Sequence, residues 1–446
     1  MRRSLFMDSP RASARPLLVP PGRLRFNIAA QIGGRGLTVM LALAQVAVAL
    51  PYLGIERYGA WMLMLGVAGA IHIADFGIGL ATQRAMAEAI ARGDGALARG
   101  LARQGTLWLS GIALASLVVG APLIAFTDWP AWAGLEGVAE AKPAALALLV
   151  LTAAALPLNT VPRVAGAAQL QWLQALWGAA GSAATLAWVA LAALFSLSLV
   201  AIVAGSAALA LVQNIAMGIH VRALIGWPAT DWPGLAPEER KRLRSACGHY
   251  AIPQFGLALI QGAPATALSL AGGPAAVTAF SLVSRLLAPL AQVQGLALAA
   301  VWPAYTEALV RGDLGWVRTH FRRSIGYSLG LVVAMAAVTA ACDPLIELWT
   351  RRTFAGVPVS LAWASFAWAG SLVLVQPHTT LLIGLGQSAG LARCSLVGYS
   401  LAAAALLGGG LVSTPAMVLA NGAVALLAVL LPLLLREVRR TTPALN

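Results

Sequence analysis

The chain has 446 residues, 59% of them hydrophobic and only 10% charged, with a formal net charge of +14. That balance excludes an ordinary water-soluble domain, in which about 25% of residues are charged, and leaves the lipid bilayer as the solvent for most of the chain. The basic residues are scattered among short loops, which argues against a nucleic-acid platform. Cys247, Cys342 and Cys394 are too widely spaced for a disulfide framework or a zinc site, so neither a metal nor a cofactor is expected.

Residues 1–25 carry Arg2, Arg3, Arg11, Arg15, Arg23 and Arg25 among several prolines. They read as a disordered basic cytoplasmic tail, retained because the apolar stretch after it is too long for a signal-peptide core. Apolar segments long enough to cross about 30 Å of hydrocarbon are expected at 26–52, 59–84, 104–126, 143–163, 172–195 and 199–222. After a linker at 223–245, further spans are expected at 249–271, 276–302, 324–348, 359–384, 391–411 and 413–435. Tryptophans at segment ends, among them Trp61, Trp108, Trp129, Trp132, Trp227 and Trp302, suit aromatic belts at headgroup level.

With the N-terminus in the cytoplasm, all but six of the 30 Lys and Arg fall on the cytoplasmic side. The exceptions are Arg57, Lys142, Arg351 and Arg352 in the opposite loops and Arg35 and Arg285 inside spans. The positive-inside rule then puts both termini of a multi-pass membrane protein in the cytoplasm.

The chain repeats itself. Residues 85–94 read AMAEAIARGD and residues 304–313 read AYTEALVRGD, and the same offset carries Arg99 onto Arg318 and Arg103 onto Arg322. Pro157, Thr160 and Gly166 meet Pro377, Thr380 and Gly386 one residue out of that register. Because both copies of the loop join the second and third span of their half, the expected fold is all-α, with about twelve membrane helices in two parallel six-helix repeats. The expected divisions are 26–222 for the first lobe, 223–245 for a cytoplasmic linker with an interfacial helix, 246–436 for the second lobe and 437–446 for a cytoplasmic tail. Parallel repeats of this kind are a transporter architecture with the substrate site between the halves. The loop pattern Glu88…Arg92-Gly93-Asp94 and its copy read as structural, with Gly breaking a helix.

Polar residues inside spans are costly in lipid, so each is a candidate for function. Gln31, Arg35, Thr38 and Gln45 recur at helical spacing in the first span, and His72, Asp75 and Gln83 form a stripe in the second. Arg35 and Asp75 each lie nine residues from the cytoplasmic end of their span, roughly 13 Å deep, so they are expected at matching depth. Two roles fit the pair: a structural ion pair, or substrate and ion coupling. For His72 the alternatives are packing and a proton relay beside Asp75.

The second half offers Gln254 and Gln261 on span 7 and Ser281, Arg285, Gln292 and Gln294 on span 8. Spans 1, 2, 7 and 8 are therefore expected to line one hydrated cavity. Arg285 has no acid expected at its depth. Either a waiting anion, which guanidinium matches well, or snorkelling to the surface accounts for it.

The run from Pro51 to Trp61, followed by Asp75-Phe76-Gly77-Ile78-Gly79 and the Glu88–Asp94 loop, resembles polysaccharide flippases of the O-antigen type. These belong to the multidrug/oligosaccharidyl-lipid/polysaccharide exporter superfamily. The resemblance implies two six-helix lobes around a V-shaped cavity whose basic residues, here Arg35 and Arg285, receive an undecaprenyl-pyrophosphate oligosaccharide. It implies a bacterial inner membrane as the location, and as partners a lipid-linked oligosaccharide, the phospholipid bilayer and polysaccharide polymerase or assembly proteins, with no nucleic acid.

The expected function is thus a flippase for a cell-surface polysaccharide precursor such as that of lipopolysaccharide or exopolysaccharide, a transporter and not an enzyme. An ion-coupled multidrug antiporter of the same superfamily is the alternative. It would favour acidic over basic cavity residues. A membrane-embedded glycan polymerase or ligase is the second alternative, and the longest opposite loop, about 127–142, offers it little. No Walker loop is present, which leaves an ion gradient, the substrate gradient or a partner as the energy source.

Overall fold

The computed structural model describes residues 21–73, 76–228, 232–351, 353–354 and 356–441. In the first half, α1 (Pro21–Ile73), α2 (Ile78–Ala91) and α3 (Gly95–Phe126) precede the short α4 (Trp129–Trp132). There follow α5 (Ala141–Ala155), a 3-10 turn (Leu156–Asn159), α6 (Thr160–Ala167), α7 (Gln171–Leu194) and α8 (Leu199–Ile225). The second half contains α9 (Pro237–Val310), α10 (Leu314–Ala340), α11 (Cys342–Trp349), α12 (Val359–Gly384) and α13 (Ser388–Val412). Its last crossing is α14 (Pro415–Ala425), a π turn (Leu426–Leu430) and α15 (Leu431–Thr441). Among the described residues no strand occurs.

Ten helical stretches are long and apolar enough to cross a membrane, and two of them, Ala30–Gly69 and Gln254–Leu298, are about twice the necessary length. Both are hairpins. The Arg285 guanidinium touches the carbonyl of Ala42 and the sulfur of Met62, residues that a straight helix would hold about 30 Å apart. The chain therefore reverses between them, at Gly54, whose φ of 74° suits glycine. α9 reverses at Gly272–Gly273. From the turn back, Pro274 and Ala265 follow Gly59 and Gly66 in opposite directions, and beyond it Thr278 and Arg285 follow Ile55 and Met62 in the same direction. Two hairpins among ten stretches give twelve crossings, six in each half, as the repeat implies.

The duplicated loop is a helix-to-helix corner of one geometry. In each copy a left-handed glycine, Gly93 (φ 76°) or Gly312 (φ 75°), closes the preceding helix with paired backbone bonds. Asp94 and Asp313 then cap α3 and α10 by accepting from the N–H of Leu97 and Trp316 at 2.8 and 2.9 Å. Arg84 and Arg92 flank Glu88 as exposed ion pairs at 3.3 and 3.6 Å.

The halves share a second device. In each, the first crossing packs on the fifth through a glycine: a Cβ on Gly34 would lie 2.8 Å from that of Ala175, and one on Gly256 would lie 2.7 Å from the Tyr399 ring. Close backbone approach of this kind is the usual means of joining helices where lipid offers no hydrophobic drive.

Several boundaries differ from expectation. Residues 1–20 of the expected disordered tail lie outside the described residues, but 21–25 already belong to α1, and α15 runs through Thr441 into the expected 437–446 tail. Span 2 is not one helix over 59–84: Phe76 and Gly77 both take positive φ, and the helix restarts as α2 at Ile78. Span 9 is not continuous over 324–348: α10 stops at Ala340, and Cys342–Trp349 form a separate short helix. In both places a Gly or Pro beside an acid, Asp75 near Gly77 and Asp343-Pro344, marks the restart within an apolar span.

The segment expected as an interfacial helix is the start of α9 itself. Leu235, Leu243 and Cys247 are buried among first-half residues such as Ile78, Met86 and Leu101, while the same helix continues without interruption to Ala271 as span 7. Arg103 donates to the Trp232 carbonyl at 3.2 Å and fastens the linker beneath α3.

Candidate functional site

The two halves meet at one end and separate at the other. At the closed end Thr278 donates to the Ile55 carbonyl at 2.7 Å, Ser269 donates to the Ala133 carbonyl, and Gly59 lies directly against the Pro274 backbone. Tyr58 and Trp61 from the Pro51–Trp61 run are each 1% exposed here, so that run packs the closed end. Farther along, Arg285 donates to Ala42 at 3.1 Å and Trp349 donates to Leu43 at 2.8 Å.

Beyond these contacts the walls diverge. Leu53, Ala49, Val46, Ala42, Val39 and Arg35 alternate at intervals of four and three, forming one face of span 1. Along that face burial gives way to exposure: Ala49 and Val46 are closed off, Ala42 and Val39 half-buried, and Arg35 exposed. Arg35 therefore stands on the wall of a cleft whose floor is the Arg285 bridge. Seven residues beyond Arg285 on the antiparallel span 8, Gln292 is also exposed, which brings it level with Arg35 on the facing wall, about 10 Å above the floor. Gln31 is one turn farther out on span 1 and half-buried. Gln254 and the exposed Gln261 continue the face of span 7 on which Ala265 meets Gly66.

Four expected site residues, Arg35, Gln292, Gln254 and Gln31, thus share the cleft. Arg285 occupies its floor, where its N–H groups are engaged by a backbone carbonyl and a thioether of the other half, bonds that the sequence did not announce, and Tyr58 and Ser281 flank it. All of these partners are neutral, so the charge itself stays uncompensated among the described residues. The expectation for Gln294 is corrected. It is 2% exposed and its amide donates to Ser328 and to the Val373 carbonyl, both at 2.7 Å, which turns it into the second half and away from the cleft. Asp75 lies outside the described residues, and for His72 only the helical backbone is described.

The sequence offered no sign of Ala42, Met62 or Trp349 as cleft elements, since a carbonyl, a thioether and an indole at a span end carry no motif. Among the described residues no group of His, Cys, Asp and Glu is arranged to hold a metal.

No protein-family model and no curated protein matches the chain. Solved structures do. An inward-facing multidrug resistance MATE family transporter of the MOP superfamily superposes with a TM-score of 0.73 at 15% identity, over 92% of this chain and 95% of that one. The fold is that of the MOP-superfamily transporters. An outward-facing MATE family transporter gives 0.65 at 13% identity over 98% and 100% of the two chains. A MOP superfamily transporter from Pyrococcus furiosus, described by the reverse polarity of its binding pocket, gives 0.63 at 13% identity over 98% and 99%.

Proposed function

We propose that this protein is a flippase that carries a polyprenyl-pyrophosphate-linked oligosaccharide, the precursor of a surface polysaccharide, across a bacterial inner membrane by alternating access. The observation that supports it best is the charge of the cleft. Its described polar side chains are two arginines and neutral amides, a set suited to a pyrophosphate and a sugar, and unsuited to a cationic drug. With both termini in the cytoplasm, the open end faces the compartment in which such lipid-linked glycans are made.

In this mechanism the pyrophosphate enters the open cleft and meets Arg35 on the wall. The glycan contacts Gln31, Gln254 and Gln292, while the polyprenyl tail stays in lipid. Arg285 holds the floor closed through Ala42 and Met62. An anion drawn toward Arg285 competes for its N–H groups, releases the other half and lets the closed end part. Rocking of the two halves then exposes the head to the far side. Asp75 and His72 are the groups through which an ion would couple to this cycle. Polysaccharide polymerase or assembly proteins would receive the product.

Multidrug antiport is the second reading, supported by the resemblance to multidrug MATE structures. The two are separated by a deletion strain complemented with the wild type and with Arg35→Ala or Arg285→Ala. Flipping requires lipid-linked glycan to accumulate on the cytoplasmic face of the deletion strain and to be cleared by wild type, with the variants at least tenfold slower. Altered drug sensitivity without glycan accumulation would replace it with antiport.

A further inference from the structure

At the open end of the second half, on its outer surface, α13 and α15 enclose a cavity of about 350 Å³ that the transport cycle does not use. Arg393, Arg436 and Arg440 form its rim together with Glu437. Glu437 is 13% exposed and presses against Gly390. It faces Arg393 at 3.8 Å and Arg440 at 4.0 Å, and so fixes two arginines toward one opening. Arg436 has no ion-pair partner among the described residues. The rim thus keeps a surplus of positive charge.

Two further observations say what kind of ligand fits. Val397 and Leu433 line the cavity one turn deeper than Arg393 and Arg436, on the side toward the bilayer centre, so charge at the rim passes into an apolar floor. The cavity also faces away from the cleft. Span 7 packs on α13 at Ser395 and Tyr399, whereas Arg393 and Val397 are two residues from Ser395 on either side and project from the opposite face, toward lipid. A charged rim at headgroup level above an apolar floor is the chemistry of an anionic phospholipid: phosphodiester on the arginines, acyl chain on Val397 and Leu433.

We propose that this cavity is a binding site for one anionic phospholipid of the leaflet at the open end. The site is independent of what the cleft carries.

Full-length protein in a non-ionic detergent, titrated with phosphatidylglycerol or phosphatidylcholine and read by native mass spectrometry, tests it. Wild type should retain phosphatidylglycerol in preference to phosphatidylcholine. Arg436→Ala should weaken that retention about fivefold, the effect of one arginine near a membrane surface. Arg439→Ala removes the same charge from the same helix outside the cavity and should leave retention unchanged. Equal retention of the two lipids, or equal losses in the two variants, would overturn the proposal in favour of diffuse surface charge. Displacement of phosphatidylglycerol by millimolar inorganic phosphate would overturn it in favour of a free-anion site, since phosphate has no use for the apolar floor.

Discussion

Replacing Gly59 by alanine would plant a methyl group where the two halves meet. An ideal Cβ there would lie 2.0 Å from the Pro274 carbonyl oxygen, 2.6 Å from its carbon and 2.8 Å from the Thr278 hydroxyl. Real Cβ contacts do not fall below 3.0 Å, so the halves must part by roughly 1 Å, and the obstruction is backbone that cannot swing aside. Overpacking of this kind costs about 1–3 kcal/mol. Here the cost falls only on the conformation closed at this end, so the equilibrium shifts away from it by about 5–150-fold. Spin labels on Glu136 and Leu411, exposed on opposite halves beside the closed end, report the shift by pulsed electron resonance as a longer distance population. Gly36→Ala, with nothing within 4 Å, is the control and should leave the distribution as in wild type. A well-folded Gly59→Ala protein with the wild-type distribution would refute the assignment of this contact as the closing surface.

Arg285→Gln keeps a donor for the Ala42 carbonyl but removes the charge. It should preserve the closed-end distance while slowing transport of an anionic substrate at least tenfold, measured in vesicles; loss of closure would make the residue a structural tie alone. Gln294→Ala leaves Ser328 and the Val373 carbonyl without their buried donor and should cost about 1–3 kcal/mol of stability, seen as a lower thermal midpoint, with substrate affinity unchanged. Asp94→Ala and Asp313→Ala remove the same cap from the two copies of one corner and should each lower stability by about 1 kcal/mol. Gly34→Leu and Gly256→Leu, which separate the first crossing of each half from the fifth, should reduce the yield of folded protein while leaving the closed-end contacts of surviving molecules intact.

The twelve crossings could be read from the sequence because a bilayer imposes one length and one polarity on every segment, and the Arg-Gly-Asp corners because their geometry admits few residues. The break at Phe76 and the separate helix after Ala340 carry only local signals, Gly77 and Asp343-Pro344, which a hydropathy averaged over a whole span does not register. Arg35 and Gln292 were recognisable as polar residues in spans, but their standing at one level required knowing that span 8 lies antiparallel to span 1. Gln294 shows the converse. Its polarity drew attention, yet it is two residues beyond Gln292 and so points about 200° away on the helix, where it satisfies a carbonyl and a hydroxyl of its own half. Arg285 was found by its charge, but its bonds to Ala42 and Met62 were not legible, because main-chain carbonyls are acceptors that no sequence pattern announces.

The unbroken helix from Pro237 to Ala271 is about 50 Å long, with its first turns embedded in one half and its last turns in the other. Its phase is therefore shared between them. Inserting one residue near Gly248 would rotate everything beyond it by about 100° and advance it by 1.5 Å, taking Gln254 and Gln261 off the cleft wall while Leu243 stayed seated. This stretch should thus accept many changes of side chain and almost no change of length, and additions of seven residues, two turns, should be the least disruptive.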